Sequence, residues 1–299
     1  MGGATYRVSA GAGRARGRDE GPVQETGEVM GSRRVGSYTV LDVVVPHIAA
    51  RVVPGQFVSV AVSGPETLLR RPFSVSGVGG GPAGGSIEVV FETLGPGTAW
   101  LAGRDRHDPV DVVGPLGRGF TAPPEPAPCL LVGGGYGTAP LVLLGRTLRE
   151  RGLRVDFLLG AATQSRLLGV MDAKRIAGTT TVTTEDGSEG RAGLLTDAMH
   201  DVLDRTGSGA VYACGPMPML AAVSAVAGER GVPVQVAVEE SMACGVGVCW
   251  TCVVPYRDDD AVANVRACLE GPVLDGARVD WPTLRSWWAR GAESAELTP

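Results

Sequence analysis

The sequence predicts a multi-domain protein: a small antiparallel β-barrel, an α/β unit on a parallel sheet, and a small C-terminal unit organised by cysteines. Three observations predict it. Short apolar runs broken by Gly and Pro crowd the first part of the chain with no helical window between them. From Cys129 onward apolar strands alternate with amphipathic helices. Near the C-terminus, Cys244, Cys249, Cys252 and Cys268 gather within one stretch. At 299 residues the chain exceeds a typical single domain. An apolar content of 44% is ample for several cores, and a net charge of −5 leaves no basic footprint for nucleic acid. No run approaches the roughly 18 uninterrupted apolar residues of a membrane span. The expectation is a cytoplasmic protein with neither nucleic-acid nor membrane partners.

Residues 1–34 are rich in Gly and Arg, mix in Asp and Glu, and show almost no apolar periodicity. They are expected to form a disordered extension. Ser32-Arg33-Arg34 is not expected to serve as a twin-arginine export signal, because Asp42, Pro46 and His47 interrupt any apolar region behind it.

Residues 35–122 hold TVLDVVV, QFVSVAV, FSVSG, IEVVFET and DPVDVVG, strands spaced as in a small antiparallel barrel. The first of them is expected over 38–45. Arg70-Arg71-Pro72-Phe73-Ser74 places charge, a ring and a hydroxyl at one strand start. Such a set suits a phosphate, a flavin ring and its edge, and it equally suits an ordinary strand with a surface arginine. Further on, Gly95-Pro96-Gly97-Thr98 opens a short helix expected over 99–102, with Thr98 as N-cap and an anion site behind it. A plain capped turn is the simpler alternative. Gly114–Gly117 is expected to turn out of the barrel, and the proline-rich TAPPEPAP marks the boundary.

Residues 128–236 read as a βαβα series, with helices expected over 139–151, near 165–176 and over 193–205. Gly133-Gly134-Gly135-Tyr136-Gly137-Thr138 falls where a strand turns into a helix, the phosphate-contact position of a dinucleotide fold. The glycine spacing departs from G-x-G-x-x-G, since Thr138 takes the third glycine's place. Cys214-Gly215-Pro216-Met217 repeats the strand-to-helix turn. There Cys214 either touches a nicotinamide or is a packed thiol, while Met217, Met219 and Leu220 read as core. Ser165 and Arg166 leave open a contact with a 2′-phosphate against an exposed helix start.

In residues 237–281 the run C-x4-C-x2-C with a distant fourth cysteine has the spacing of plant-type 2Fe–2S centres. Gly245 and Gly247 permit the tight loop such a cluster needs. A zinc site prefers two separated close pairs, and disulfides need an oxidising compartment. Strands at Val253–Val254 and around Val265 should form a hairpin, with its turn over 257–260, that returns Cys268 as the fourth ligand. In 282–299, Leu284, Trp287 and Trp288 fall on one side of a short helix, packed on their own domain or offered to a partner.

RPFS, GPGT, GGGYGTAP, CGPM and MACGVGVCWTC…CLEGPV together resemble the ferredoxin–NADP reductase superfamily. Within it the chain is similar to the electron transfer subunits of dihydroorotate dehydrogenase B. The resemblance implies an FAD-binding β-barrel, an NAD-binding α/β domain and a 2Fe–2S domain. It implies FAD contacts at Arg71, Pro72, Phe73, Ser74, Val90, Phe91, Glu92, Gly97 and Thr98, while the two strand-to-helix turns offer the NAD contacts Gly133, Gly135, Gly137, Thr138, Cys214 and Gly215. Cluster ligands follow at Cys244, Cys249, Cys252 and Cys268. The partner it implies is an FMN-containing dihydroorotate dehydrogenase catalytic subunit, two copies of each, serving pyrimidine synthesis. No acid–base catalytic residue is expected here. A reductase with a different electron partner, or a bifurcating small subunit, is the alternative. Trp250 and Tyr136 depart from the family's usual small and aliphatic residues. Because a plant-type cluster sits near about −400 mV, N–H···S bonds and burial against a partner are expected to raise its potential.

Overall fold

Apolar side chains alternating with polar ones build the first part of the chain into strands with one buried face. In the computed structural model, which describes residues 21–64, 67–80, 84–258 and 261–295, these strands are β1 (Val23–Val35), β2 (Tyr38–Val44), β3 (Phe57–Val60), β4 (Arg71–Gly79), β5 (Ser86–Glu92) and β6 (Pro109–Leu116). They close into an antiparallel barrel in the order β1-β2-β5-β4-β3-β6. Closure satisfies both edges of every strand and leaves none to aggregate. Val29, Leu41, Val58, Val75, Val89 and Val112 fill the interior. Two helices interrupt the barrel strands, α1 (Pro46–Ala49) and α2 (Pro96–Ala102).

β1 corrects the expectation for residues 1–34. Its residues 23–34 are strand, paired with β6 through Val23–Glu28 and with β2 through Glu28–Val35. Only Gly27 and Val29 are buried in it, and charged residues occupy its outward positions. The apolar signal is therefore too thin to read, and the strand is held by ladder hydrogen bonds on both sides. Residues 1–20 of the expected extension lie outside the described residues. The strand expected to come first is thus second, and β6 continues through Gly114-Pro115 to Leu116, where a turn had been expected.

The second unit runs β7 (Cys129–Gly134), α3 (Thr138–Glu150), β8 (Val155–Ala161), α4 (Val170–Ile176), β9 (Thr180–Thr184), β10 (Arg191–Ala192), α5 (Leu195–Thr206), β11 (Ala210–Cys214), α6 (Met217–Glu229) and β12 (Val234–Ala237). The strands pair in parallel in the order β10-β9-β8-β7-β11-β12. Central β7 is buried along its whole length, as a strand covered on both faces must be. Leu141, Leu144 and Leu148 of α3 cover one face; Met199 and Val202 of α5 and Leu220 of α6 cover the other. The helix expected near 165–176 is split. A single 3-10 turn at Gln164–Arg166 precedes α4, because Gly169 at φ 70° caps α4 from the left-handed region.

The third unit holds the hairpin β13 (Val253–Asp258) and β14 (Ala261–Arg266), then β15 (Val273–Asp275) and α7 (Trp281–Ala295). The expected turn overlaps the end of β13, and residues 259–260 lie outside the described residues. β15 pairs antiparallel with β12 and so fastens this unit to the edge of the parallel sheet. Leu284 is buried, and Trp281, Trp287 and Trp288 pack against the same core, which favours the packing alternative for the tail. Cys129 and Cys214 are buried, reduced strand residues. Among the described residues no helix is long and apolar enough to cross a membrane.

Candidate functional site

The four C-terminal cysteines come together. Gly245 and Gly247, at φ 70° and 81°, fold the loop after Cys244 back on itself. The turned-in amides point at sulfur. Val246, Val248 and Cys249 donate N–H to Cys244 Sγ at 3.4–3.5 Å. Gly247 donates to Cys268 Sγ at 3.2 Å, and Cys268 N–H to Cys252 Sγ at 3.4 Å. The Thr251 hydroxyl donates to Cys249 Sγ at 3.2 Å. With the amides around it, that hydroxyl holds the Cys249 thiol down to about 6. Burial and the adjacent Cys252 push Cys268 up to about 12.

These thiols form two interacting pairs, Cys244 with Cys249 and Cys252 with Cys268. Among the described residues no three such ligands converge on a single point. A two-iron cluster asks for two thiolates on each iron, so two pairs fit it and a single tetrahedral ion fits them poorly. Iron would deprotonate even the buried pair, as a coordinating metal does with thiols. Trp250 adopts φ 59°, and the Arg266 guanidinium lies 4.7 Å from its ring centroid. Arg266 is itself held by Glu270 at 2.6 Å and by the Gly247 carbonyl at 2.9 Å, so the loop is braced from behind.

The cluster loop touches the barrel. A Cβ built on Gly245 would sit 3.6 Å from the Phe57 ring and 3.6 Å from Leu116. In the ladder Phe57 stands opposite Ser74, so the loop packs on the strand next to the one that carries Arg71-Pro72-Phe73-Ser74.

That strand walls a cavity of about 290 Å³, the size of a small-molecule site. Pro72, Phe73, Ser74, Val90, Phe91, Glu92 and Thr98 line it from the barrel, and Gly137 and Cys214 from the parallel-sheet unit. The Phe73 and Phe91 rings lie 5.2 Å apart at its base. The two arginines of the motif part ways. Arg70 pairs with Asp111 at 2.6 Å, the ordinary structural role. Arg71 lies instead against Gly97, where a Cβ would come within 3.0 Å of its Nε. Charge and turn are thereby side by side, as a pyrophosphate would require.

Thr98 is not the N-cap. The helix starts earlier, at Pro96, and the Thr98 hydroxyl reaches back to accept the Leu94 and Gly95 amides at 3.0 and 3.2 Å. The rest of the wall was missed by sequence reasoning, among it Phe57, Leu94, Tyr136, Glu239, Glu240 and Met242. The last three immediately precede Cys244, which was the available signal. Burial raises the Glu239 carboxyl, and the Tyr136 hydroxyl, donating at 3.0 Å, offsets part of that rise. Burial holds Cys214 well above its usual range, and the nearby Glu239 adds to it.

A second cavity, about 400 Å³, opens at the carboxyl ends of the parallel strands, where dinucleotides bind in such sheets. Gly135 lines it, with Gly160, Glu185, Leu194, Pro216 and Met219. The other expected glycines act behind this wall. A Cβ on Gly137 would meet the Cys214 carbonyl and the Gly215 backbone at 2.6 Å, and one on Gly133 would strike Thr138. They let β7, β11 and α3 approach closely. Arg166 lines the crevice but is paired with Glu92 at 2.8 Å, and the Ser165 carbonyl accepts the Ser37 amide.

A family model described as the iron–sulfur cluster binding domain of dihydroorotate dehydrogenase B matches residues 239–280. The chain is 36% identical over 237 residues to the dihydroorotate dehydrogenase B (NAD(+)) electron transfer subunit of Desulforamulus reducens, covering 79% of this chain and 90% of that protein. It belongs to this family of electron transfer subunits. The subunit of the same name from Geobacillus thermodenitrificans is 40% identical over 232 residues, covering 76% of this chain and 86% of that one. Among solved structures, an NADH-dependent reduced ferredoxin–NADP oxidoreductase studied for flavin-based electron bifurcation matches with a TM-score of 0.77 at 31% identity, covering 91% of this chain and 96% of that chain. An Amycolatopsis cytochrome P450 reductase matches at 0.60 and 26% identity, covering 76% and 72%. As a family member the chain is an oxidoreductase subunit that works with FAD, a 2Fe–2S cluster and NAD, beside a catalytic partner.

Proposed function

We propose that this electron transfer subunit accepts electrons from dihydroorotate oxidised on an FMN-containing catalytic subunit and delivers them to NAD+, in a cytoplasmic complex with two copies of each chain. In this reading 35–122, extended by β1, hold FAD; 128–236 hold NAD; 237–281 hold the cluster; and 282–299 are the tail. FAD supplies the link, exchanging electrons singly with an iron–sulfur centre and as a hydride with a nicotinamide.

One observation carries the proposal: the cysteine loop packs through Gly245 on Phe57, which also lines the barrel cavity and pairs with Ser74. Cys244, Cys249, Cys252 and Cys268 are the proposed ligands, and the amides aimed at their sulfurs favour the more reduced cluster. Phe73 and Phe91 offer a flat apolar wall to an isoalloxazine, Ser74 and Glu92 its polar edges, and Arg71 with the Gly97 turn a pyrophosphate. The crevice at Gly135 takes the dinucleotide. Cytoplasmic residence is supported by thiols that must stay reduced to bind iron.

The test is to co-express the chain with its genomic neighbours and assay NAD+ reduction by dihydroorotate. A purified complex carrying FMN, FAD and iron, active with dihydroorotate, is the expected result. The structural likeness to the bifurcating oxidoreductase favours a second reading, a small subunit serving another electron partner. NADH–acceptor turnover with a partner that ignores dihydroorotate would select it.

A further inference from the structure

The wall of the barrel cavity carries three carboxyl side chains, Glu92, Glu239 and Glu240, and no lysine or arginine among the described residues. Burial raises the carboxyls of Glu239 and Glu240, which disfavours charge on them. Glu92 differs, because its Oε1 accepts a hydrogen bond from the Arg166 guanidinium at 2.8 Å. Arg166 is in turn the one lysine or arginine among the described residues that line the crevice at the strand ends. A single ion pair therefore reaches from one cavity to the other.

The pair has a fixed seat. Glu92 stands opposite Tyr38 in the β2–β5 ladder, and the fully buried Tyr38 donates its hydroxyl to the Arg166 carbonyl at 2.9 Å. The Ser37 amide donates to the Ser165 carbonyl at 3.0 Å. Arg166 still has 48% of its side chain exposed, against 17% for Glu92. A guanidinium carries five N–H donors, so the bond to Glu92 leaves others for the crevice.

We infer that the Arg166–Glu92 pair couples the charge of the two cavities: an anion in the crevice draws on Arg166, leaves Glu92 less compensated, and so disfavours added negative charge in the barrel cavity. The inference rests on the reading of those cavities as flavin and dinucleotide sites. The anion is then the pyrophosphate of the dinucleotide. The added charge is the one left on FAD by two electrons and one proton. A bound dinucleotide thus makes reduced FAD the stronger hydride donor when the acceptor is in place. By linkage, the phosphate-bearing part must bind more tightly to the oxidised protein than to the reduced one.

The test uses the full-length chain loaded with FAD and cluster. It measures by calorimetry the binding of ADP-ribose, which has the pyrophosphate and no redox-active ring, to the oxidised and the dithionite-reduced protein. In the wild type ADP-ribose should bind the oxidised form on the order of tenfold more tightly, equivalent to a fall of about 30 mV in the two-electron FAD potential at saturation. Arg166→Gln should weaken binding to both forms and bring their ratio close to one. Glu92→Gln, which keeps the shape of the side chain, should bind ADP-ribose more tightly than wild type, since Arg166 then serves the crevice alone. A purely structural ion pair would give weaker binding in both variants. A ratio unchanged in Arg166→Gln, or a Glu92→Gln protein that binds no more tightly than wild type, overturns the coupling and leaves the reading of the crevice standing. If ADP-ribose fails to bind even the wild type, the dinucleotide assignment of the crevice falls first, and the inference with it.

Discussion

The guanidinium of Arg71 lies against Gly97, so close that a Cβ on that glycine would sit 3.0 Å from Nε and 3.2 Å from the nearer terminal nitrogen. A Val62 methyl would sit at 3.2 Å as well, and Gly97 is buried. Gly97→Ala makes both neighbours yield by a few tenths of an ångström and should cost about 1 kcal/mol of stability, the low end of core overpacking. It should shift Arg71 away from the proposed pyrophosphate position and weaken FAD binding roughly tenfold, the scale of one charge-assisted contact. Flavin retention on gel filtration, beside a melting curve, checks both halves.

Cys268 is buried, paired with Cys252, and brought to the loop by the hairpin. Cys268→Ser should abolish the visible absorption of the cluster and take bound iron from about two per chain to near zero. Cys129→Ser, at a buried cysteine far from the loop in sequence and unrelated to it, should keep both. Iron analysis of the two variants decides it.

Thr251 donates its hydroxyl to Cys249 Sγ at 3.2 Å. A donor to a ligand sulfur favours the reduced, more negative cluster. Thr251→Val keeps the shape and removes the donor, so the cluster potential should fall on the order of 40 mV, equivalent to about 1 kcal/mol on a one-electron couple. A spectroscopic redox titration reads the shift directly.

Glu239 has its carboxyl raised by burial, with the Tyr136 hydrogen bond pulling the other way. Such a group binds its proton more tightly folded than unfolded. Its contribution to stability is complete below the unfolded value of about 4.3 and is lost as pH rises through the higher folded value. Glu239→Gln removes that titration. Wild type should lose stability relative to the variant as pH climbs out of that window, and the two melting curves, compared across pH, should diverge in that direction.

The barrel and the parallel sheet were legible because each strand and helix carries its own period. β6 alternates buried with more open positions, β2 and β3 are short apolar-rich runs between turn residues, and β7 is a continuous apolar run. The grouping of the four cysteines as candidate ligands was legible from spacing alone. β1 was not, since only Val29 of its apolar residues is fully buried and its order comes from partners on both sides. Thr98 was placed on the right turn with the wrong bond, because helix starts at Pro96 or at Ala99 look alike locally. Glu239 carries no local pattern that marks it. Its partner Tyr136 lies 103 positions earlier, beyond the reach of any local pattern.

The sequence by itself determined the segments and their chemistry: apolar strands, glycine turns, a candidate set of four thiolates, and an arginine–aromatic–serine strand. These depend on neighbours a few residues away, where backbone sterics and periodicity act. Only the tertiary structure decided which of them meet. It set Arg71 on Gly97, the cysteine loop on Phe57 and Tyr136 on Glu239, and it closed the barrel with β1. Those meetings are fixed by packing between segments distant in the chain, where shape and burial, rather than local preference, choose the partner.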